Sequence, residues 1–167
     1  MNRVMKCLAL VVPVWALWAC SPPDAASGTS TGDGRSRLNA AESYAEIGDY
    51  VVRANAMNTV ELTPDIASAY DIVRSEDRAL VNLVVLRKAE EIGLDQPIKA
   101  DVSLSAANLT GQVKSVEVTE IVDGDSIYYL GEVAVENRET INFDFDIRPT
   151  DSDRTLLIRF SHEFYTR

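Results

Sequence analysis

Residues 140–149 read TINFDFDIRP. Ile141, Phe143, Phe145 and Ile147 fall on one side of an extended chain. Asn142, Asp144, Asp146 and Arg148 fall on the other. Strict alternation over eight residues marks a strand with one buried and one wet face. Two Phe and two β-branched Ile supply enough apolar area to face a second layer rather than solvent.

The same period recurs on both sides of this stretch. PIKADVSL (97–104) sends Ile98, Ala100, Val102 and Leu104 inward, and TLLIRFSHEFYT (155–166) does so with Leu156, Ile158, Phe160, His162 and Phe164. SIYYLGEVAVE (126–136) sets Ile127, Tyr129, Val133 and Val135 against Tyr128, Glu132 and Glu136. ALVNLVVLR (79–87) is apolar on both faces, which predicts a central strand. YVVRANAM (50–57) and VKSVEVTEI (113–121) complete seven predicted strands. Turn chemistry separates them: Asp123-Gly124 suits a hairpin with positive φ, and Asn137-Arg138-Glu139 and PTDSD (149–153) are further turns. One helix is predicted at 63–70, TPDIASAY, where Thr63 caps, Pro64 suits the first turn and Asp65 favours the positive end of the dipole. The expected fold is all-β: an immunoglobulin-like antiparallel β-sandwich over residues 42–167 with one short crossover helix, a small closed β-barrel being the alternative.

The amino terminus carries a different message. Asn2, Arg3 and Lys6 form a short basic start, Cys7 to Leu17 is almost wholly apolar, and Leu17-Trp18-Ala19-Cys20 closes the run. The apolar core is too short to span a bilayer, so residues 1–19 read as a signal peptide. Ala19 before Cys20 resembles a bacterial lipobox, which implies cleavage before Cys20 and a lipid on its thiol. Cys7 leaves with the leader, so Cys20 has no intramolecular partner, and a thioether to lipid removes a reactive thiol. Ser21, rather than Asp, favours the outer membrane by the sorting habit of Gram-negative lipoproteins. Residues 20–41 are rich in Ser, Gly, Thr, Ala and Pro and read as a lipid-attached flexible tether of about 25 Å r.m.s. reach. The expected place is therefore the periplasmic face of the cell envelope, with the membrane as a partner through the N-terminal lipid.

The full chain of 167 residues carries net charge −10, and loss of Arg3 and Lys6 makes it more negative still. Nucleic acid is excluded as an expected partner, because phosphate binding needs clustered Lys and Arg.

Several spaced segments share a resemblance: NTVELTPDIASAYDIVRSEDRALVNLVVL (58–86), NLTGQ (108–112), IYYLGEV (127–133), FDFDIRP (143–149) and RFSHEFYT (159–166). Together they look like the bacterial family called domain of unknown function 4426, over about residues 42–167. The resemblance implies a small, exported, all-β protein of Gram-negative bacteria. It brings no assigned reaction and no catalytic residues.

No catalytic constellation is visible, and no cofactor is expected. His162 is the only histidine, on an inward face beside Phe160 and Phe164. Adjacent Ser161 must point to the opposite face, which makes a Ser–His pair geometrically poor. One histidine and Met57 are too few soft ligands for zinc or copper, so no metal site is expected. Calcium has weak candidates in VDGDS (122–126) and PTDSD (149–153), neither with full EF-hand spacing. Asp144 and Asp146 share a strand face and are the candidates for an envelope glycan hydrolase. Calcium-stabilised adhesion is the other alternative. The reading favoured by the residues is a non-catalytic binding or scaffolding module. Its expected patch is Asn58, Tyr70, Arg74, Ser75, Tyr128 and Tyr165, aimed at an envelope protein or peptide, directly or by strand addition.

Overall fold

The computed structural model describes residues 35–38, 44–89 and 93–166. Two sheets pack face to face. In chain order the strands are β1 (Ser36–Leu38), β2 (Tyr44–Ile47), β3 (Tyr50–Asn58), β4 (Arg78–Arg87), β5 (Gln96–Pro97), β6 (Ala100–Asn108), β7 (Val113–Lys114), β8 (Val118–Asp123), β9 (Ser126–Ala134), β10 (Glu139–Pro149) and β11 (Leu156–Phe164). A 3-10 turn (Thr59–Glu61) and helix α1 (Pro64–Ala69) lie between β3 and β4.

Sheet A has the order β1-β11-β10-β6-β7, and sheet B the order β2-β3-β4-β9-β8, with β5 extending beside β4. With β3, β4, β8 and β9 as strands A, B, D and E, and β6, β10 and β11 as C, F and G, this is the immunoglobulin arrangement, ABED against GFC. Neither sheet closes on itself, so the barrel alternative falls.

The alternation in 140–149 is realised in full. Ile141, Phe143, Phe145 and Ile147 are all buried on β10, near the middle of sheet A. They meet Val52, Val81, Leu83 and Val85 from sheet B in one core. Phe143 stacks on Phe160 at 6.0 Å and meets Phe164 edge-on at 6.3 Å. The doubly apolar run 79–87 becomes β4, the central strand of sheet B.

The predicted hairpin at Asp123-Gly124 joins β8 to β9, with Gly124 at φ 57°. The turn at 137–139 puts Arg138 at φ 60°. Helix α1 is capped as expected, Thr63 Oγ1 accepting from the Ile66 N–H at 3.4 Å. It does not carry the chain across a sheet, because β3 and β4 are hydrogen-bonded antiparallel neighbours. It instead folds back over the outer face of sheet B.

Three features differ from the sequence reading. Ser36–Leu38, within the expected tether, form β1 and pair with β11 in parallel, so the sandwich is not wholly antiparallel and starts before residue 42. Leu38 is 1% exposed, and Arg35 donates to the Phe145 carbonyl at 3.2 Å. One apolar residue gives no periodicity to read. The single strand expected at 113–121 is two, β7 in sheet A and β8 in sheet B. The apolar positions step by three between Val113 and Val116, and the chain changes sheets there. Finally, Tyr44–Ile47 add a short edge strand, β2, turned by Gly48 at φ 60°. The expected signal peptide, Cys20 and most of the tether lie outside the described residues.

Candidate functional site

The six residues of the expected patch do not form one surface. Asn58 is buried, and its Nδ2 donates to the carbonyls of Glu76 and Tyr165, both at 3.1 Å. Arg74 Nη2 donates to the Val60 carbonyl at 2.8 Å, and the Ser75 N–H donates to Thr59 Oγ1 at 2.9 Å. These three residues tie the segment after α1 to the end of β3 and to the C-terminal segment. Each thus has a polar group engaged in the fold, while Arg74 stays exposed and Asn58 and Tyr165 line one cleft. Tyr165 is exposed at the same end, its phenol held above the usual range by its hydrogen bond to Glu163.

Tyr70 and Tyr128 belong elsewhere. They rim a groove between α1 and the outer face of sheet B. Ala67, Ile72 and Leu80 make a second, small core there, with Leu62, Tyr70 and Leu130 packed around it. This core is too small to fill the space under the helix. An apolar chamber of about 210 Å³ remains, walled by Met57, Leu62, Ile66, Leu80, Tyr128 and Leu130. A second, polar chamber of about 290 Å³ adjoins it, lined by Arg78, Glu117, Thr119 and Glu132. Tyr70, Ile72, Leu80 and Leu130 border both chambers. The Tyr70 hydroxyl donates to Asp123 Oδ2 at 3.3 Å, and the Asp123 charge pushes the phenol up.

The floor of the apolar chamber holds two carboxamides. Asn55 on β3 and Asn82 on β4 are directly paired across the strands and both line the chamber. The Asn82 Oδ1 atom is buried and has no hydrogen-bond partner among the described residues. Sequence reasoning missed this pair. A signal was present: Asn82 is the one polar residue inside the otherwise apolar ALVNLVVL.

The remaining candidates serve the fold. Asp144 accepts a bidentate pair from Arg159 at 2.7 and 2.8 Å, and Arg35 sits 2.6 Å from Asp146. Both carboxylates expected for glycan chemistry are thus held by guanidinium groups on the outer face of sheet A. Ser161 Oγ donates to Asn142 Oδ1 at 2.6 Å on that same face, away from His162. His162 lies 4.7 Å from the Phe164 ring and 6.1 Å from Phe160, and burial lowers its pKa against a small opposing effect of Glu61. Asp151, in the second calcium candidate, accepts from Tyr50 at 2.7 Å and pairs with Arg87 at 2.9 Å. Among the described residues no three His, Cys, Asp or Glu side chains gather as a metal site would need.

Asn108, in NLTGQ, organises its own loop. Its Oδ1 accepts from the Thr110 and Gln112 N–H groups at 3.1 and 2.9 Å, and its Nδ2 donates to Glu139 at 2.9 Å. Glu139 is nearly buried and pairs with Lys114 at 2.8 Å. Burial raises the pKa of its carboxyl, but hydrogen bonds from Lys114, Asn108 and the Glu136 N–H outweigh it and hold the group below its ordinary range.

A family model described as a domain of unknown function, DUF4426, matches residues 44–167. A similar solved structure is that of a DUF4426 family protein from Pseudomonas aeruginosa PAO1. It has a TM-score of 0.62 and 28% sequence identity, over 74% of this chain and 94% of that one. No curated protein matches the chain.

Proposed function

The chain belongs to the DUF4426 family of unknown function, and from that premise we propose that it is a non-catalytic peptide-binding module of the Gram-negative envelope, lipid-anchored through Cys20. The observation that carries the binding role is the groove under α1. It is apolar, partly open and lined by two cross-strand asparagines, one with a buried oxygen that has no hydrogen-bond partner among the described residues. Cavities of this kind, an apolar lining with a few convergent polar groups, are where small partners and peptide segments bind. The lipobox-like LWAC and the Ser/Gly-rich stretch after it support anchoring at the periplasmic face, with the outer membrane favoured.

Two measurements test this reading in cells. Alkyne-palmitate labelling is expected on the wild type and absent from Cys20→Ala, which should leave the membrane fraction. A photo-crosslinking amino acid at Tyr128 is expected to give a discrete adduct with a peptide segment that mass spectrometry identifies. The same probe at Asn142, on the outer face of sheet A, should give none. Equal adducts at both positions, or a Cys20→Ala protein that stays in the membrane, would contradict it.

A further inference from the structure

The two chambers of the groove differ in chemistry, and the difference specifies a ligand. The inference rests on the peptide-binding reading above and goes on to the peptide's side chains. We propose that the groove takes an extended peptide with an aromatic or branched apolar side chain in one chamber and a lysine or arginine two residues away in the other.

The apolar chamber, about 210 Å³, matches one large side chain; an apolar cavity of about 150 Å³ already holds a benzene ring. Tyr70 and Tyr128 at its rim offer ring faces and edges to an aromatic guest. In the polar chamber Arg78 is paired with Glu132 at 3.2 Å, which leaves Glu117 as its uncompensated charge among the described residues. The formal charge there is negative, and Asp123 stands just beyond Tyr70. A cation is the complementary guest.

Spacing selects the register. Arg78, Leu80 and Asn82 are alternate residues of β4, all facing the groove, so the floor from Asn82 to Arg78 spans about 14 Å at ~3.4 Å per residue. The chambers share Leu80 and Leu130, so an extended peptide crossing that border sets side chains two residues, ~7 Å, apart over the two of them. Side chains two apart in an extended peptide point the same way, down into both chambers.

The Asn55–Asn82 pair supplies the third element. Each carboxamide offers both a donor and an acceptor, the complement of a peptide unit. The buried Asn82 Oδ1 lacks a donor, a cost that native structures avoid unless the group has other work. The terminal torsion of asparagine is broad, so the amide turns readily to meet an incoming main-chain N–H.

The test uses the processed full-length protein in detergent, followed by amide NMR shifts. The probes are acetyl-Phe-Gly-Lys-amide, acetyl-Phe-Gly-Glu-amide and acetyl-Gly-Gly-Lys-amide. The first is expected to shift the Asn55 and Asn82 side-chain amides with a dissociation constant on the order of 1 mM, the range for so small a ligand. The other two should bind at least about tenfold more weakly, the loss of one favourable contact. Asn82→Leu should abolish the effect while the sheet A resonances stay in place. Glu117→Lys should reverse the preference, favouring the glutamate peptide. Equal binding of the lysine and glutamate peptides would overturn the proposal and leave the groove as a peptide site of other specificity. No shift from any of the three at about 10 mM would overturn the groove reading itself.

Discussion

The outer faces of the two sheets are built from similar residue types and do opposite things with them. On sheet A the polar groups are paired: Arg159 grips Asp144, Ser161 bonds Asn142, and the buried Asp146 Oδ1, which has no hydrogen bond of good geometry, is met by the Arg35 charge at 2.6 Å. On sheet B a short helix covers part of the face, and two asparagines line the groove there, Asn55 exposed and Asn82 half-buried with an oxygen that has no donor among the described residues. Two strand faces with polar residues at alternate positions look alike in sequence. The two faces differ in what meets a buried polar atom: Asp146 Oδ1 has a guanidinium beside it, and Asn82 Oδ1 has no partner among the described residues.

The largest expected effect lies beneath both faces. Phe143→Ala removes a fully buried ring that touches Phe160 and Phe164, and should cost about 4 kcal/mol in chemical denaturation. A loss below about 1 kcal/mol would mean that the sheets do not pack as described and that the comparison of their outer faces has no common frame.

Next comes a separate, nearly buried ion pair at the end of sheet A, in register with the core-facing Ile141 and Phe143 rather than with the outer face. Lys114→Met strands the Glu139 carboxylate and should cost about 3 kcal/mol at neutral pH. The pH dependence has a definite sign. Glu139 has a depressed pKa when folded, so its contribution is fully present above the ordinary glutamate range and is lost as pH falls through that depressed value. Wild type should therefore lose stability with acid more steeply than Glu139→Gln, which starts lower and has nothing to titrate. Parallel acid profiles for the two proteins would show that Glu139 is not held by Lys114 as described.

Much of the fold is legible in the amino-acid sequence, and the parts that are not have common causes. Long alternating runs such as 140–149 and 155–166 state their own burial, because many positions agree on one period. Residues 36–38 hold one apolar side chain, Leu38, and the neighbouring Arg35 meets carboxylates more than a hundred residues away, a contact no local pattern announces. Residues 113–121 look continuous, yet the step from Val113 to Val116 changes sheets, and Val116 fills the space over Gly131. Gly131 is itself dictated by that crossing: a Cβ there would stand 2.8 Å from Val116 Cγ1. The site is half legible. Tyr70 and Tyr128 look like exposed anchors and do rim the groove. Asn58, Arg74 and Ser75 look equally available, but backbone carbonyls and Thr59 absorb them, a fact that only tertiary contacts reveal. Asn55 and Asn82 lie 27 residues apart in the chain, and only strand register places them side by side.

Smaller effects sharpen the contrast between the faces. Asp144→Asn breaks a bidentate pair on a partly exposed face and should destabilise by about 1 kcal/mol, less in high salt. Asn82→Leu should act the other way, because it replaces an unsatisfied buried acceptor with apolar surface in an apolar chamber, a gain of about 1 kcal/mol.

Melting Asn82→Leu beside Asp144→Asn, without ligand and at low ionic strength, tests the central claim most directly. The account predicts shifts of opposite sign, a higher melting temperature for Asn82→Leu and a lower one for Asp144→Asn. A fall in both would show that Asn82 serves the fold as Asp144 does, and the groove would lose its standing as a place kept open for a partner.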